Sequence, residues 1–301
     1  MIGRGVLIIG ASGFIGSAIG RKLREEGFAV TGVARGRCDD AQFPVRAMEC
    51  TIEAVAKLVS ELRPIAVIHA AGPASVQASL SEPDADFNDS VVPFQRLLEG
   101  VRRSGLLPRV AYLSSAAVYG DAEVLPIPTT APVRPVSPYG HHKAICETLA
   151  AEYATCFGVP SLILRIFSVF GAEQRRLLIW DLFQKFRADA QVVVDGTGEE
   201  ARDYIHVDDL AEQLASAMVT SSAPRVILNV GSGRSVTVQE LARLIGRLLG
   251  SSKNISFTGR QRVGDPREWR ADMSSYEALS GKRVSVDFER RLEEVLQQWH
   301  A

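Results

Sequence analysis

At 301 residues, with 46% hydrophobic and 23% charged side chains, the chain is long enough to bury a sizeable core, as about two domains or one large α/β unit. Basic and acidic residues nearly cancel, 34 against 35, so no global field attracts nucleic acid or an anionic membrane. Aromatic residues make up only 7% beside abundant Ala, Val, Leu and Gly, which fits closely packed α/β layers and excludes disorder, collagen and coiled coil.

In chain order, the first predicted element is a buried strand, Val6–Ile9, whose apolar run is far too short for a signal peptide or a membrane span. A helix follows over 15–26, with Ile15, Ala18, Ile19 and Leu23 on one face, and Gly27 ends it. Phe28–Val33 is a second strand. Ile52, Val55, Ala56, Val59 and Leu62 recur at helical spacing before Pro64, and Ala66–Ile68 is a third strand. Phe87–Arg103 reads as helix, Arg109–Leu113 as strand, Tyr139–Phe157 as a long helix and Ser161–Ile166 as strand. This alternation predicts right-handed crossovers and an α/β fold of Rossmann type, a doubly wound parallel sheet. Past Gly171 the rhythm loosens. The expected division is a dinucleotide-binding domain over 1–171 and a smaller, mainly substrate-binding α/β domain over 172–301, with 205–230 able to pack back on the first sheet. The four cysteines, Cys38, Cys50, Cys146 and Cys156, form no CxxC pair, and no His cluster has metal spacing. Reduced thiols, no metal and a soluble cytoplasmic protein are the expectation.

Gly10, Gly13 and Gly16 stand at relative positions 1, 4 and 7, after a strand and opening a helix. Gly10 permits a tight turn, Gly13 lets backbone approach a pyrophosphate, and Gly16 lets helix and strand pack closely. Ser12, Phe14 and Ile15 complete the turn, and Ala70, Ala71 and Gly72 after the third strand are counted with the same cofactor site. At the end of the second strand an acidic residue would select NAD through its ribose hydroxyl. Here Val33-Ala34-Arg35-Gly36-Arg37 offers no carboxylate before Asp39. Arg35, with Arg37 as a second candidate, suits the 2′-phosphate of NADP, so the reading leans to NADP with NAD possible.

Tyr139 and Lys143 stand at i and i+4, on one face of the predicted helix. An ammonium there lowers the pKa of the phenol and is able to bond the nicotinamide ribose. Ser115 lies at the carboxyl end of a predicted strand, where ligands sit in open α/β sheets, and is placed to orient a reacting sugar oxygen toward Tyr139. Ser115, Tyr139 and Lys143 are the candidate catalytic residues.

The glycine turn, the Ser–Tyr–Lys set and several further segments together resemble the extended branch of the short-chain dehydrogenase/reductase family. That is the branch of NAD(P)-dependent nucleotide-sugar epimerases, dehydratases and reductases. The similarity covers nearly the whole chain: Ser75–Ser79 with Pro83, Asn88 where the family has an asparagine opening its next helix, 164–171, 196–198, 202–209, 229–233 and 262–265. It implies a nucleotide-sugar substrate whose diphosphate is gripped by Arg202 and Arg262. Ser79, Ser168, Asp265 and Trp269 join Ser115 as substrate-side candidates. His206 is expected to be structural, at a strand–helix junction. A homodimer is implied through a four-helix bundle of 87–103 and 139–157, with apolar positions such as Val91, Phe94, Leu98, Ala144, Leu149 and Ala151.

Departures from the family pattern narrow the chemistry. Dehydratases carry Asp and Glu after the catalytic hydroxyl residue; here Ala116 and Ala117 follow Ser115, and neither moves a proton. Ser168 replaces the asparagine usual in 4-epimerases. Trp269 is bulky enough to restrict large sugar substituents such as N-acetyl groups. Two reactions at the sugar 4-position stay open, both served by Ser–Tyr–Lys. The Ala34-Arg35 pair favours an NADPH-dependent 4-keto-sugar reductase, and the alternative is a 4-epimerase with retained NAD. A non-catalytic NADP(H)-sensing regulator is the reading from another class.

Overall fold

The structure, a computed structural model, describes residues 4–36, 38, 42–188, 190–220, 223–260 and 266–300. The first half alternates strands and helices, apart from the pairs β2–β3 and α3–α4: β1 Gly5–Ile9, α1 Phe14–Glu25, β2 Ala29–Ala34, β3 Val45–Ala47, α2 Ile52–Leu62, β4 Ala66–His69, α3 Val76–Ser81, α4 Pro83–Arg103 and β5 Arg109–Ser115. After a 3-10 turn over Ala116–Tyr119 come α5 Pro138–Phe157, β6 Ser161–Ile166, β7 Ser168–Phe170, α6 Leu177–Ala188, β8 Val192–Val194, β9 Ala201–His206 and α7 Val207–Thr220. The chain continues with β10 Arg225–Val230, β11 Ser235–Thr237, α8 Val238–Leu248, β12 Ile255–Phe257, α9 Ser274–Ser280 and α10 Phe288–His300.

The main sheet has seven strands, all parallel, in the order β10-β6-β5-β4-β1-β2-β3. The strand order reverses between β1 and β4, which opens a crevice beyond their carboxyl ends. Both faces of the sheet are covered, so β1 is apolar throughout. Val6 and Ile8 pack into one core with Ile19 and Leu23 of α1 and Leu210 and Leu214 of α7. Leu7 and Ile9 pack into the other with Val55, Val59, Phe94 and Leu98 of α2 and α4. Arg225–Val230 extends this sheet beyond β6 along its full length.

A third, smaller core gathers Phe183 of α6, Leu241 and Ile245 of α8, and Leu292 and Val295 of α10. A three-stranded sheet, β11-β9-β7, joins it to the first lobe, and β12 pairs with β8 beside it. The segment after the 3-10 turn is tied to a distant part of the chain within the first core: Ile127 pairs with Ala271, donating to Arg270 O at 2.7 Å and accepting from Asp272 N–H at 3.0 Å. Helix α4 begins at Pro83 rather than Phe87, because Pro at the first position gives up no intrahelical bond and Asp84 and Asp86 favour a helix N-terminus. Among the described residues, no helix is long and apolar enough to cross a membrane.

Candidate active site

The glycine turn between β1 and α1 is held against the sheet. Gly10 and Ala11 N–H both donate to Val33 O, at 2.9 and 3.0 Å. Gly10 has φ +87°, and a Cβ there would lie 2.6 Å from Ala71 N, so only glycine fits beside the loop that leaves β4. A Cβ at Gly16 would lie 2.2 Å from Gly10 O, which lets α1 seat directly under the turn. Ser12 and Gly13 are exposed, the N-cap Gly13 offers no capping side chain, and the first turn of α1 carries no acid. The first-turn N–H groups therefore face outward as an anion cradle. Phe14 packs over Gly171, where a Cβ would meet its ring at 2.9 Å, and Ile15 is half-buried on the first core. This backbone fits a dinucleotide pyrophosphate.

Arg35 directly follows β2 and is exposed, and its Nη1 lies 3.8 Å from Asp89 Oδ1 on α4. The carboxylate that the β2 terminus lacks is thus brought to Arg35 by another element. Arg37 lies outside the described residues. Ala70 and Ala71 are half-buried and Gly72, at φ +121°, is exposed beside Ser90.

The catalytic candidates converge through backbone packing. Ser115 ends β5 and caps the 3-10 turn, its Oγ accepting from Ala117 N–H at 3.2 Å. Helix α5 starts on that turn: a Cβ at Gly140 would lie 2.6 Å from Ala117 O. Ser137 caps α5, accepting from Gly140 N–H at 3.2 Å. Tyr139 in the first turn is half-buried, and Lys143 is only 7% exposed. Lys143 Nζ donates to Leu113 O at 2.9 Å and lies 5.5 Å from the centre of the Tyr139 ring. Ser115, Tyr139 and Lys143 therefore share one wall of the crevice.

Arg202 of β9 lies over the Trp269 indole, with Cζ 5.3 Å from the ring centre. Trp269 is half-buried; its Nε1–H donates to Gly120 O at 2.9 Å, and its edge meets Phe167. The indole thereby joins Arg202 to the segment leaving Ser115. Asp203, beside Arg202, is buried and ties the lobe together, accepting from Ser232 N–H, Ser232 Oγ, Gly233 N–H and Ala271 N–H at 2.6 to 3.0 Å. Burial raises its pKa, against those hydrogen bonds. Ser168 is half-buried on β7. Arg262 and Asp265 lie outside the described residues.

Two expectations need correction. Ser79 does not face a substrate: it is 0% exposed, its Oγ donating to Val76 O at 2.7 Å and accepting from Tyr139 N–H at 3.1 Å. Asn88 lies inside α4, exposed and bonded to Asp84 at 3.1 Å. The buried polar residue near Gly72 is instead Ser90, two positions on and turned inward by the helical period. His206 is held at the β9–α7 junction, its Nδ1 accepting from Asp208 N–H at 3.3 Å, and burial lowers its pKa. Asp203 and Ser90 were missed because each is one ordinary polar residue until the fold buries it.

The profile of the NAD dependent epimerase/dehydratase family matches residues 6–231. The UDP-glucose 4-epimerase of Azospirillum brasilense is 30% identical over 97% of this chain and 94% of its own length. The crystal structure of UDP-glucose 4-epimerase with UDP-glucose from Thermotoga maritima superposes with a TM-score of 0.89 at 28% identity, covering 98% of each chain. The Thermus thermophilus UDP-glucose 4-epimerase in complex with NAD gives a TM-score of 0.85 at 27% identity over 99% of each chain.

Proposed function

The chain belongs to the NAD dependent epimerase/dehydratase family, and on that premise we propose that it is a nucleotide-sugar 4-epimerase acting on a UDP-activated hexose with retained NAD. One observation carries the choice of chemistry. The site wall holds Tyr139, Lys143 and Ser115 as its proton-handling groups, while Ala116 and Ala117, 0% and 4% exposed, stand where a second acid and base would be needed for elimination. One proton-exchanging phenol without a second acid and base suits hydride chemistry at an alcohol carbon and not elimination, and the relatives favour epimerisation over reduction.

In this reading the Tyr139 oxygen takes the proton of the sugar 4-hydroxyl and later returns it to the same oxygen, while the configuration inverts at C4 through a hydride that bound NAD would accept from one face and give back to the other. Ser115 hydrogen-bonds that same sugar oxygen and keeps it in line with Tyr139. Lys143 holds a positive charge beside the phenol, fixed by Leu113 O. Bound NAD supplies the hydride acceptor and donor. Arg202 grips the diphosphate together with Arg262, Asp265 joins the substrate side, and the fixed Trp269 indole bounds the sugar pocket against bulky substituents.

The sequence lean toward an NADPH-dependent reductase gives way here for two reasons. The three relatives described above are named as UDP-glucose 4-epimerases, one of them in complex with NAD. Arg35, the residue behind the NADP reading, has a carboxylate partner in Asp89 that would oppose a 2′-phosphate. The chain is an enzyme of this family, so a purely sensing role is set aside.

The test is conversion of UDP-galactose and UDP-glucose into one another without added cofactor, in wild type and Tyr139→Phe. A homodimer through α4 and α5 remains part of the proposal, with a restricted interface. Val91, Phe94 and Leu98 are buried in the chain's own core, which leaves the outer side of α5, where Ala144, Ile145 and Leu149 line a shallow apolar groove with Val133.

A further inference from the structure

Helix α5 carries Tyr139 and Lys143, yet its buried stripe is Gly140, Lys143, Cys146, Ala150 and Tyr153, without one branched aliphatic side chain. The neighbouring α4 buries Val91, Phe94, Leu97, Leu98 and Val101. Interlocking of bulky side chains ordinarily fixes how a helix is rotated and how far along its axis it sits. On α5, where only the half-buried Ala144 and Leu149 add apolar contact, polar anchors stand in that place.

Two anchors lie one helical turn apart on α5 and fall on consecutive residues of β5. Lys143 Nζ donates to Leu113 O at 2.9 Å, and Ser114 Oγ donates to Glu147 Oε1 at 2.6 Å. The next residue on β5 is Ser115. Glu147 is itself clamped by Arg165 of β6, whose Nη2 donates to Oε2 at 2.7 Å and whose Nε donates to Oε1 at 3.0 Å. Arg165 is buried and Glu147 nearly so, with side chains 5% and 9% exposed. Arg165 Nη1 goes on to Tyr119 Oη at 3.1 Å, and Tyr119 Oη donates to Asn229 Oδ1 at 2.6 Å. Asn229 Nδ2 donates to Ile127 O at 2.7 Å and Asp272 O at 3.1 Å, three residues beyond Trp269.

A buried ion pair adds little net stability over an apolar pair of the same volume, because both charges leave water. Its geometric demand is strict, however, since breaking it strands a buried charge. We propose that Glu147, held by Arg165, is a positioning residue: it locks α5 against β5 so that Tyr139 and Lys143 stand opposite Ser115. Neither Glu147 nor Arg165 touches the reacting atoms. The proposal rests on Ser115, Tyr139 and Lys143 being the reacting groups, and is indifferent to whether the overall reaction is epimerisation or reduction.

The experiment compares wild type, Ser114→Ala, Glu147→Gln and the double variant. Ser114→Ala removes one hydrogen bond while leaving the ion pair intact, and so guards against a Glu147 variant that fails to fold. The first readout is single-turnover hydride transfer between a UDP-hexose and the nicotinamide, with KM, bound-cofactor content and thermal midpoint measured alongside. Ser114→Ala should lower the transfer rate about tenfold while KM and cofactor content stay within about twofold, and the double variant should be no slower than Glu147→Gln alone. A Ser114→Ala rate equal to wild type, losses that only track unfolded protein, or effects that multiply would overturn the proposal. The second readout is amide hydrogen exchange, which needs no activity. Exchange over 139–143 should speed up more than in the rest of α5 in both single variants, and unchanged exchange there would also overturn it. If wild type transfers no hydride while the exchange effect is present, the functional reading fails and the positioning role stands.

Discussion

The buried hydroxyl of Ser79 accepts the backbone N–H of Tyr139 at 3.1 Å, so the short helix after β4 holds the first turn of the helix that carries the candidate acid–base. First-turn N–H groups have no intrahelical partner, and a buried one left unpaired is costly. Ser79→Ala is expected to lower stability by about 1 kcal/mol and kcat by roughly tenfold, with cofactor retention unchanged. Thermal unfolding and steady-state kinetics on the same preparation check both, and a wild-type kcat would remove Ser79 from the positioning of Tyr139.

Arg35 and Asp89 set a second expectation. Their 3.8 Å separation and wide exposure make the pair weak and easily screened, so the readout is selectivity rather than stability. Asp89→Asn should raise affinity for NADP relative to NAD about threefold to tenfold at low salt, and Arg35→Ala should move the ratio the other way. Titration of each dinucleotide at two ionic strengths measures this; an unchanged ratio in both variants would take the pair out of cofactor choice.

Trp269 is fixed by Gly120 and stacked under Arg202, so its removal acts on both sugar and diphosphate. Trp269→Phe keeps a face for Arg202 and loses the bond to Gly120. UDP-glucose turnover should fall about fivefold, while turnover of the N-acetylated analogue should rise relative to it. A fall by the same factor for both sugars would contradict a role in pocket size.

His69 offers a pH test independent of activity. Full burial, with Lys143 nearby, pushes its pKa down from 6.5 to about 3, so the folded state keeps the ring neutral. Below 6.5 the unfolded chain binds a proton that the folded chain refuses, and stability falls as pH drops toward 3. The loss is at most about 1.4 kcal/mol per pH unit over that window, and is absent above it. His69→Phe, packed beside Phe94 and Tyr112, should flatten the acid side of a urea-midpoint profile. An acid slope identical to wild type would show that His69 titrates normally.

What the sequence disclosed follows from locality. Val6–Ile9, the glycine turn and the Tyr139–Lys143 spacing are each written in a few adjacent residues, and the parallel sheet and cofactor cradle are legible from them. Residues that act across the fold are not. Asp89 meets Arg35, Arg165 meets Glu147, and Gly120 meets Trp269 only after the sheet brings distant segments together. From sequence, Ser79 reads as a substrate group because its loop has the right place in the chain. Its burial depends on α5 packing over it, which no local pattern encodes. The second lobe is the least legible part, since β7, β8, β11 and β12 are three residues each, too short for an alternating apolar pattern to show.

The central claim is epimerisation at the sugar 4-position with a cofactor that never leaves. The most direct measurement is to incubate the purified protein with UDP-galactose alone and follow the sugar by NMR. The account predicts steady formation of UDP-glucose to an equilibrium mixture without added dinucleotide, abolished in Tyr139→Phe, with NAD released on denaturation. No conversion under those conditions, together with stoichiometric consumption of NADPH on adding a 4-keto nucleotide sugar, would contradict it and establish the reductase instead.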